Sequence, residues 1–184
     1  MHDDDMLVYA CQSGDIDAFE QLVRKYQDRT IRVLYLLLSD VDDAQDAAQE
    51  TFIRAFRCIK SFRHNSSFGT WLHRVAINTA RNWARNNKRG REVIFPIEGL
   101  NAINQPKPDD LLVARERSLE IKCALGRLPQ YYREAIVLRH YDDMSYEEIA
   151  LVQQVPVGTV RSRLAKARDM LRQYLSEDIN KSNM

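Results

Sequence analysis

The sequence predicts an all-α protein built as two small helical domains joined by a flexible linker. Three observations carry this. Apolar residues recur at three- and four-residue spacing along most of the 184-residue chain, with no convincing alternating strand. The stretch 92–114 breaks that rhythm with three prolines, a glycine and no clean period. Beyond it the helical signal resumes. The expected organisation is a first domain over 1–91, a linker over 92–114, a second domain over 115–176 and a frayed tail over 177–184.

The elements follow in order. Asp15 is of the type that caps a helix, and the run from Ala18 to Leu38 places Phe19, Leu22, Val23, Tyr26, Ile31, Leu34 and Leu38 on a buried face. A second helix is expected from near Asp42 to about Phe62, with Ala44, Ala47, Ala48, Phe52, Ile53, Phe56 and Ile59 as its apolar set. A polar loop follows, then a third helix from Phe68 to about Asn87. In it Leu72, Val75, Ala76, Thr79 and Trp83 are expected to face the core. In the second domain a helix runs from Arg115 to Leu128, Pro129 breaks it, and another covers Tyr131–Tyr141.

Apolar content of 45% and charged content of 29% indicate a globular chain. The net charge of +1 conceals a strong asymmetry. Residues 1–50 hold 12 acids and 4 bases, residues 51–91 hold 10 bases and no acid, and residues 92–184 are nearly balanced. That pattern points to an acidic front and a polyanion-binding middle. No apolar run approaches the ~20 residues of a membrane span, so VLYLLL at 33–38 reads as a buried helix turn. The acidic start, MHDDDML, lacks the regions of a signal peptide. Cys11, Cys58 and Cys123 are odd in number and far apart, which fits reduced thiols in a cytoplasmic protein. His2, His64, His73 and His140 have no partners at metal-ligand spacing, and no glycine loop is built to cradle phosphate. Neither an enzyme, a cofactor nor a metal site is expected.

The most specific local signal is SYEEIALVQQVPVGTVRSRLAKAR, residues 145–168. Ser145 and Glu148 form a capping box that starts a short helix carrying Ile149, Ala150 and Val152. A turn near Gln153–Val155 follows, with Pro156 at the first position of the next helix. Val160, Leu164, Ala167 and Leu171 face the core of that helix. Gly158, Thr159, Arg161, Ser162, Arg163, Lys166 and Arg168 are left for another surface. Short helix, tight turn, basic helix is a helix-turn-helix, whose second helix reads the major groove.

The first domain carries a second basic surface. Trp71, Arg74, Asn78, Arg81 and Arg85 recur along one side of the third helix. Aromatic rings that stack on bases, beside cations that hold the backbone, suit single-stranded nucleic acid. Phe62, Arg63, Asn65, Ser66 and Ser67 lie at the helix entrance, where an unstacked base could be read. The preceding helix places Asp42, Asp46, Gln49, Glu50 and Ile53 along a mostly polar side. Pattern alone makes that side a solvated acidic face.

Taken together, DAAQETFIRAF, then FR and SSFGTWL with RVAINTARN, then SYEEIA and PVGTVRSRL, resemble a bacterial RNA polymerase sigma factor of the extracytoplasmic-function group, sigma-E-like. The resemblance covers roughly residues 7–175. It implies that the first domain is sigma region 2 and the second is sigma region 4. It implies that Asp46, Gln49, Glu50, Phe52 and Ile53 dock on the coiled coil of core RNA polymerase. By the same resemblance, the Phe62–Ser67 loop and the Trp71–Arg85 stripe capture the melted −10 strand, and the 147–166 segment reads −35 duplex. The linker would thread near the RNA exit path. An anti-sigma factor is the further partner the group implies, in a stress response. The alternative reading is a helix-turn-helix regulator that never joins polymerase, which leaves the acidic face and the central stripe idle. A nucleic-acid-modifying enzyme is the third class, and no catalytic constellation supports it.

Overall fold

A computed structural model of the chain describes residues 3–86 and 111–182, with side-chain surroundings for 4–86 and 119–177. Most of the expected linker lies outside the described residues. The helices are α1 (Asp3–Gln12), α2 (Ile16–Leu38), α3 (Val41–Cys58), α4 (Phe68–Asn86), α5 (Leu111–Arg127), α6 (Gln130–His140), α7 (Tyr146–Gln153) and α8 (Val157–Ser182). A 3-10 turn, Ile59–Ser61, continues α3. No strand occurs among the described residues.

Local chemistry explains the helix ends. Asp15 caps α2 by accepting from the Ala18 N–H at 3.1 Å. Asp40 does the same for α3, from Asp43 at 2.9 Å. Ser39 closes α2 in the left-handed region, its N–H bonded to the Tyr35 carbonyl at 2.8 Å. The predicted capping box of α7 is present in both directions: Ser145 Oγ accepts from the Glu148 N–H, and Glu148 accepts from the Ser145 N–H.

Four boundaries differ from expectation. Helix α1 had no counterpart in the periodicity. Helix α5 begins at Leu111, inside the segment read as linker. Helix α8 carries helical backbone to Ser182, past the boundary set at 176, and the Arg127–Glu177 ion pair at 2.7 Å ties it to α5. Pro156 precedes α8 instead of opening it. Its carbonyl accepts from Thr159 and Val160 N–H groups, which makes it the N-cap.

The apolar set of α3 also divides. Ala44, Ala47, Ala48 and Ile59 are buried as expected, but Thr51 and Ala55 complete the buried face, and Ile53 and Phe56 are exposed. The small residues let α2 and α4 approach α3 closely.

Two apolar clusters organise the chain. One lies within the first domain and joins α1, α2, the 3-10 turn and α4 through Val8, Leu22, Ile59, Phe62, Phe68, Trp71 and Leu72. The other crosses both domains. It combines Val33–Leu37 of α2 and Ala76, Ile77 and Ala80 of α4 with Leu125, Ile136, Leu138, Ile149, Val160 and Leu164. The VLYLLL run is therefore covered from two sides, which is why it is apolar all round. The two domains are packed against each other.

Candidate nucleic-acid interface

The loop between the 3-10 turn and α4 folds back over the first turn of α4. Six of the predicted −10 residues, Phe62, Arg63, Asn65, Ser66, Trp71 and Arg74, thereby line one cleft of about 390 Å³. Its inner wall is aromatic. Phe62 and Trp71 are 6% and 7% exposed, and their ring centroids are 5.4 Å apart. Its rim is polar, with Arg63 and Asn65 exposed and Ser66 and Arg74 half-buried. An apolar wall beside amide, hydroxyl and guanidinium groups suits an extruded base and its phosphate.

Trp71 does not stand on an exposed stripe, as its periodicity suggested. The returning loop and Phe68, 5.6 Å away between centroids, cover it. Ser67 lies outside the cleft. Its hydroxyl accepts from the Thr70 N–H at 3.1 Å and so caps α4. Further along α4, Asn78 and Arg85 are exposed. Trp83, expected in the core, is partly buried against it.

Arg81 is engaged. It donates through Nε and Nη2 to the two carboxylate oxygens of Glu134, at 2.9 and 2.7 Å. Glu134 is 1% exposed and belongs to α6, in the other domain. The paired carboxylate raises the Arg81 guanidinium above its ordinary value, against the opposing effect of burial. The network continues. Gln153 donates to Glu134 at 3.2 Å, and Arg163 of α8 donates to Gln153 at 2.9 Å. A chain of four side chains thus links the central basic stripe to the helix-turn-helix.

Three more contacts close the same face. Thr70 donates to Glu148 at 3.2 Å. Arg29 donates to the fully buried Asp142 carboxylate, whose second oxygen lies 2.7 Å from His73 Nε2. Arg133 donates to the Leu37 carbonyl at 2.8 Å, and burial lowers its guanidinium below the ordinary value. Burial alone would raise the Glu148 carboxyl. The bonds from Ser145 and Thr70, with Arg29 nearby, instead hold it below the ordinary value. Leu151 of α7 lines the same cleft as Phe62 and Trp71.

In the helix-turn-helix, Val160, Leu164 and Ala167 are fully buried and Leu171 partly so, as the spacing predicts. Gln154 makes the turn in the left-handed region, at φ 57°. Gly158, Arg161, Ser162, Lys166 and Arg168 are exposed and Thr159 is half-buried. Arg163 is the exception. It is half-buried, bonded to Gln153 and set 5.2 Å from the centre of the Tyr131 ring.

The acidic helix presents two surfaces. Asp46, Gln49, Glu50 and Ile53 border a cleft between α3 and α4, with Glu50 paired to Arg54 at 2.6 Å. Gln49, Phe52 and Ile53 also line a mostly apolar groove between α2 and α3, about 670 Å³, with Phe19, Val23 and Phe56. The five predicted docking residues therefore divide between two adjacent surfaces, with Gln49 and Ile53 common to both. Among the described residues no group of three or more His, Cys, Asp or Glu is placed to hold a metal ion. No described helix is long and apolar enough to cross a membrane.

Sequence reasoning missed Glu134 as the partner of Arg81 in the basic stripe, and Asp142 and Glu148 as partners of Arg29, His73 and Thr70 in the first domain. It sought acids within residues 51–91, where there are none. The acids at 134–148 were the available signal, on the other side of the linker.

Comparison with known proteins agrees with this geometry. Residues 22–90 match the Sigma-70 region 2 family model and residues 118–171 match Sigma-70 region 4. The ECF RNA polymerase sigma-E factor of Salmonella typhimurium is 38% identical over 176 residues, covering 91% of this chain and 92% of that protein. The structure of CnrH in complex with the cytosolic domain of CnrY superposes with a TM-score of 0.73, at 27% identity, over 95% of this chain and 98% of that one. The sigma factor RpoE of Bartonella quintana, in complex with the anti-sigma factor NepR, superposes with a TM-score of 0.68, at 28% identity, over 88% of this chain and 98% of that one. Both superpositions span the two domains together. The chain belongs to the extracytoplasmic-function sigma factors of the sigma-70 family, the promoter-specificity subunits of bacterial RNA polymerase.

Proposed function

We propose that the cleft beneath the Phe62–Ser67 loop captures an unpaired base of the −10 element, while α8 reads the −35 element as duplex. The observation that carries this is the convergence of six separately predicted residues on one aromatic-walled cleft. Stacking against an aromatic is worth about 1–3 kcal/mol per base, which offsets a cost of a few kcal/mol for extruding it. Arg74 and the exposed Arg85 supply backbone contacts. Arg161, Lys166 and Arg168 supply donors for phosphate and guanine on the duplex. The two adjoining α3 surfaces bearing Asp46, Gln49, Glu50, Phe52 and Ile53 dock on core polymerase, the apolar groove giving contact area and the carboxylates giving orientation. All of this takes place in the cytoplasm.

The packed arrangement is, in this reading, the resting form. Glu134 occupies the guanidinium that would meet a phosphate, and Leu151 borders the cleft a base would enter. An anti-sigma factor that holds the domains together would keep the chain silent. RpoE of Bartonella quintana, solved with its anti-sigma factor, superposes over both domains, which supports this. The test is to titrate the full chain with core polymerase, then with fork-junction promoter DNA carrying a single-stranded −10 segment. One-to-one polymerase binding followed by protection of the fork supports the assignment. Duplex binding without any affinity for core polymerase overturns it.

A further inference from the structure

We infer that helix α1 is a positioning brace for the capture loop, with Tyr9 and Gln12 deciding where the loop holds a base. This rests on the proposed capture of a −10 base in the cleft. Helix α1 contributes no side chain to the cleft itself. It instead touches the loop directly at its beginning and its middle, and reaches the start of α4 only through Tyr26 of α2.

At the beginning, the Gln12 side-chain amide donates to the Ile59 carbonyl at 3.0 Å and the Phe62 carbonyl at 2.9 Å. The Ile59 carbonyl also accepts from the Phe62 N–H at 3.1 Å, and the Gln12 amide, with two hydrogens, ties that carbonyl and the Phe62 carbonyl to one side chain. Phe62 is the aromatic wall of the cleft, so Gln12 sets the backbone from which that wall projects.

At the middle, the Tyr9 ring lies parallel to the His64 ring, with centroids 4.4 Å apart and planes 16° apart. Phe62 flanks His64 at 4.7 Å. His64 has φ 53°, in the left-handed region. A residue with a side chain enters that region at a cost of about 1–2 kcal/mol. Surrounding contacts must hold it there. His64 points toward α1 while its neighbours Arg63 and Asn65 line the cleft. The stack on Tyr9 thus fixes the turn that aims both of them.

At the end, Asp4 accepts from the Tyr26 hydroxyl at 2.6 Å. The Tyr26 ring lies 3.2 Å from where a side-chain carbon would sit on Gly69, at the start of α4. A recognition geometry is productive only when its parts are held within about 0.5 Å. Gln12 and Tyr9 are the two direct anchors that α1 supplies toward that requirement.

The brace is separable from the fold. Helix α1 is held to the core by Val8 and Cys11, 0% and 5% exposed, whereas Tyr9 is 52% exposed. The experiment assembles the full chain with core polymerase and measures affinity for six-nucleotide single strands of DNA that vary one base at a time. The chains compared are wild type, Tyr9→Ala, Tyr9→Phe, Gln12→Ala and the cleft variant Asn65→Ala, each also scored for melting temperature and −35 duplex affinity. The expected result is that Tyr9→Ala and Gln12→Ala each reduce the ratio between best and worst base by about tenfold. Melting temperature and duplex affinity stay put, and Tyr9→Phe restores the preference. If wild type and Asn65→Ala bind all bases alike, the capture reading fails and the brace with it. If Asn65→Ala loses the preference while both α1 variants keep it, capture stands and the brace is overturned. Loss of preference that tracks a fall in melting temperature, without rescue by Tyr9→Phe, also overturns it.

Discussion

Arg81 and Glu134 meet across the two domains as a doubly bonded pair, at 2.9 and 2.7 Å, with the carboxylate buried and the guanidinium side chain 34% exposed. The pair joins a residue of the region 2 domain to one of the region 4 domain. Replacing Glu134 with Gln removes the charge and keeps the shape. A hydrogen bond to a charged group is worth about 1.5–3 kcal/mol. Partial exposure of Arg81 reduces that to about 1 kcal/mol, a factor of roughly five. The expected outcome is a larger radius of gyration by small-angle scattering and about fivefold tighter binding of a −10 single strand by the free chain. An unchanged radius would separate Glu134 from domain closure.

Arg74 and Trp71 should behave differently although both line the cleft. Truncating the buried Trp71 to Ala removes core volume and costs about 3–5 kcal/mol of stability. Arg74→Ala leaves stability within about 0.5 kcal/mol. It should still weaken single-strand binding by about tenfold, as loss of one charge-assisted contact predicts. Thermal denaturation beside fluorescence titration distinguishes the two.

On α8 the exposed cations should act through charge. Arg161→Ala and Lys166→Ala are each expected to weaken −35 duplex binding and to lower the salt slope by about 1. Arg163→Ala should instead lower the melting temperature, because it breaks the Gln153 bond and the contact with the Tyr131 ring. A salt slope that falls equally in all three would mean that Arg163 leaves its partners to meet DNA.

Acidification should loosen the interdomain contact at Glu148. Its carboxyl is held below the ordinary value in the folded chain, so its contribution is complete above the unfolded-state value. That contribution is lost as pH falls through the folded value. The helix cap of α7 and the bond from Thr70 weaken together. Glu148→Gln should flatten this part of the pH dependence of the melting temperature. A mutant curve with the wild-type slope between pH 5 and about pH 3 would assign the dependence to other carboxylates.

Docking on polymerase should depend on the α2–α3 groove. Phe56 is 46% exposed and meets Phe19 edge-on, with centroids 5.0 Å apart. Phe56→Ser is expected to weaken core-polymerase affinity by about tenfold while changing stability by less than about 1 kcal/mol. Equal affinity would move the docking surface to the Asp46–Glu50 side of α3.

What the sequence made legible was local. Asp15, Ser145 with Glu148, and the spacing of Val160, Leu164 and Ala167 act within one helical turn or two, and each stands where periodicity put it. The loop and the beginning of α4 supplied most of one cleft because they are neighbours in the chain. The misreadings share a distant cause. Trp71 lies under a loop that folds back over it. Arg81 found its acid 53 positions away. Phe56 looked like core because its spacing matched, yet Ala55 took the buried position and left Phe56 in the groove. Helix α1 escaped notice because three aspartates open it and only Val8 and Cys11 are buried.

The doubly covered run at Val33–Leu37 gives domain separation a calorimetric character. Pulling the second domain away bares part of that strip, and newly wetted apolar surface raises heat capacity by about 0.45 cal/mol/K per Å². Separation is thus closer to a partial melting than to the swing of a hinge. Its equilibrium constant should curve with temperature, and a partner that covers the strip stabilises the open state by mass action.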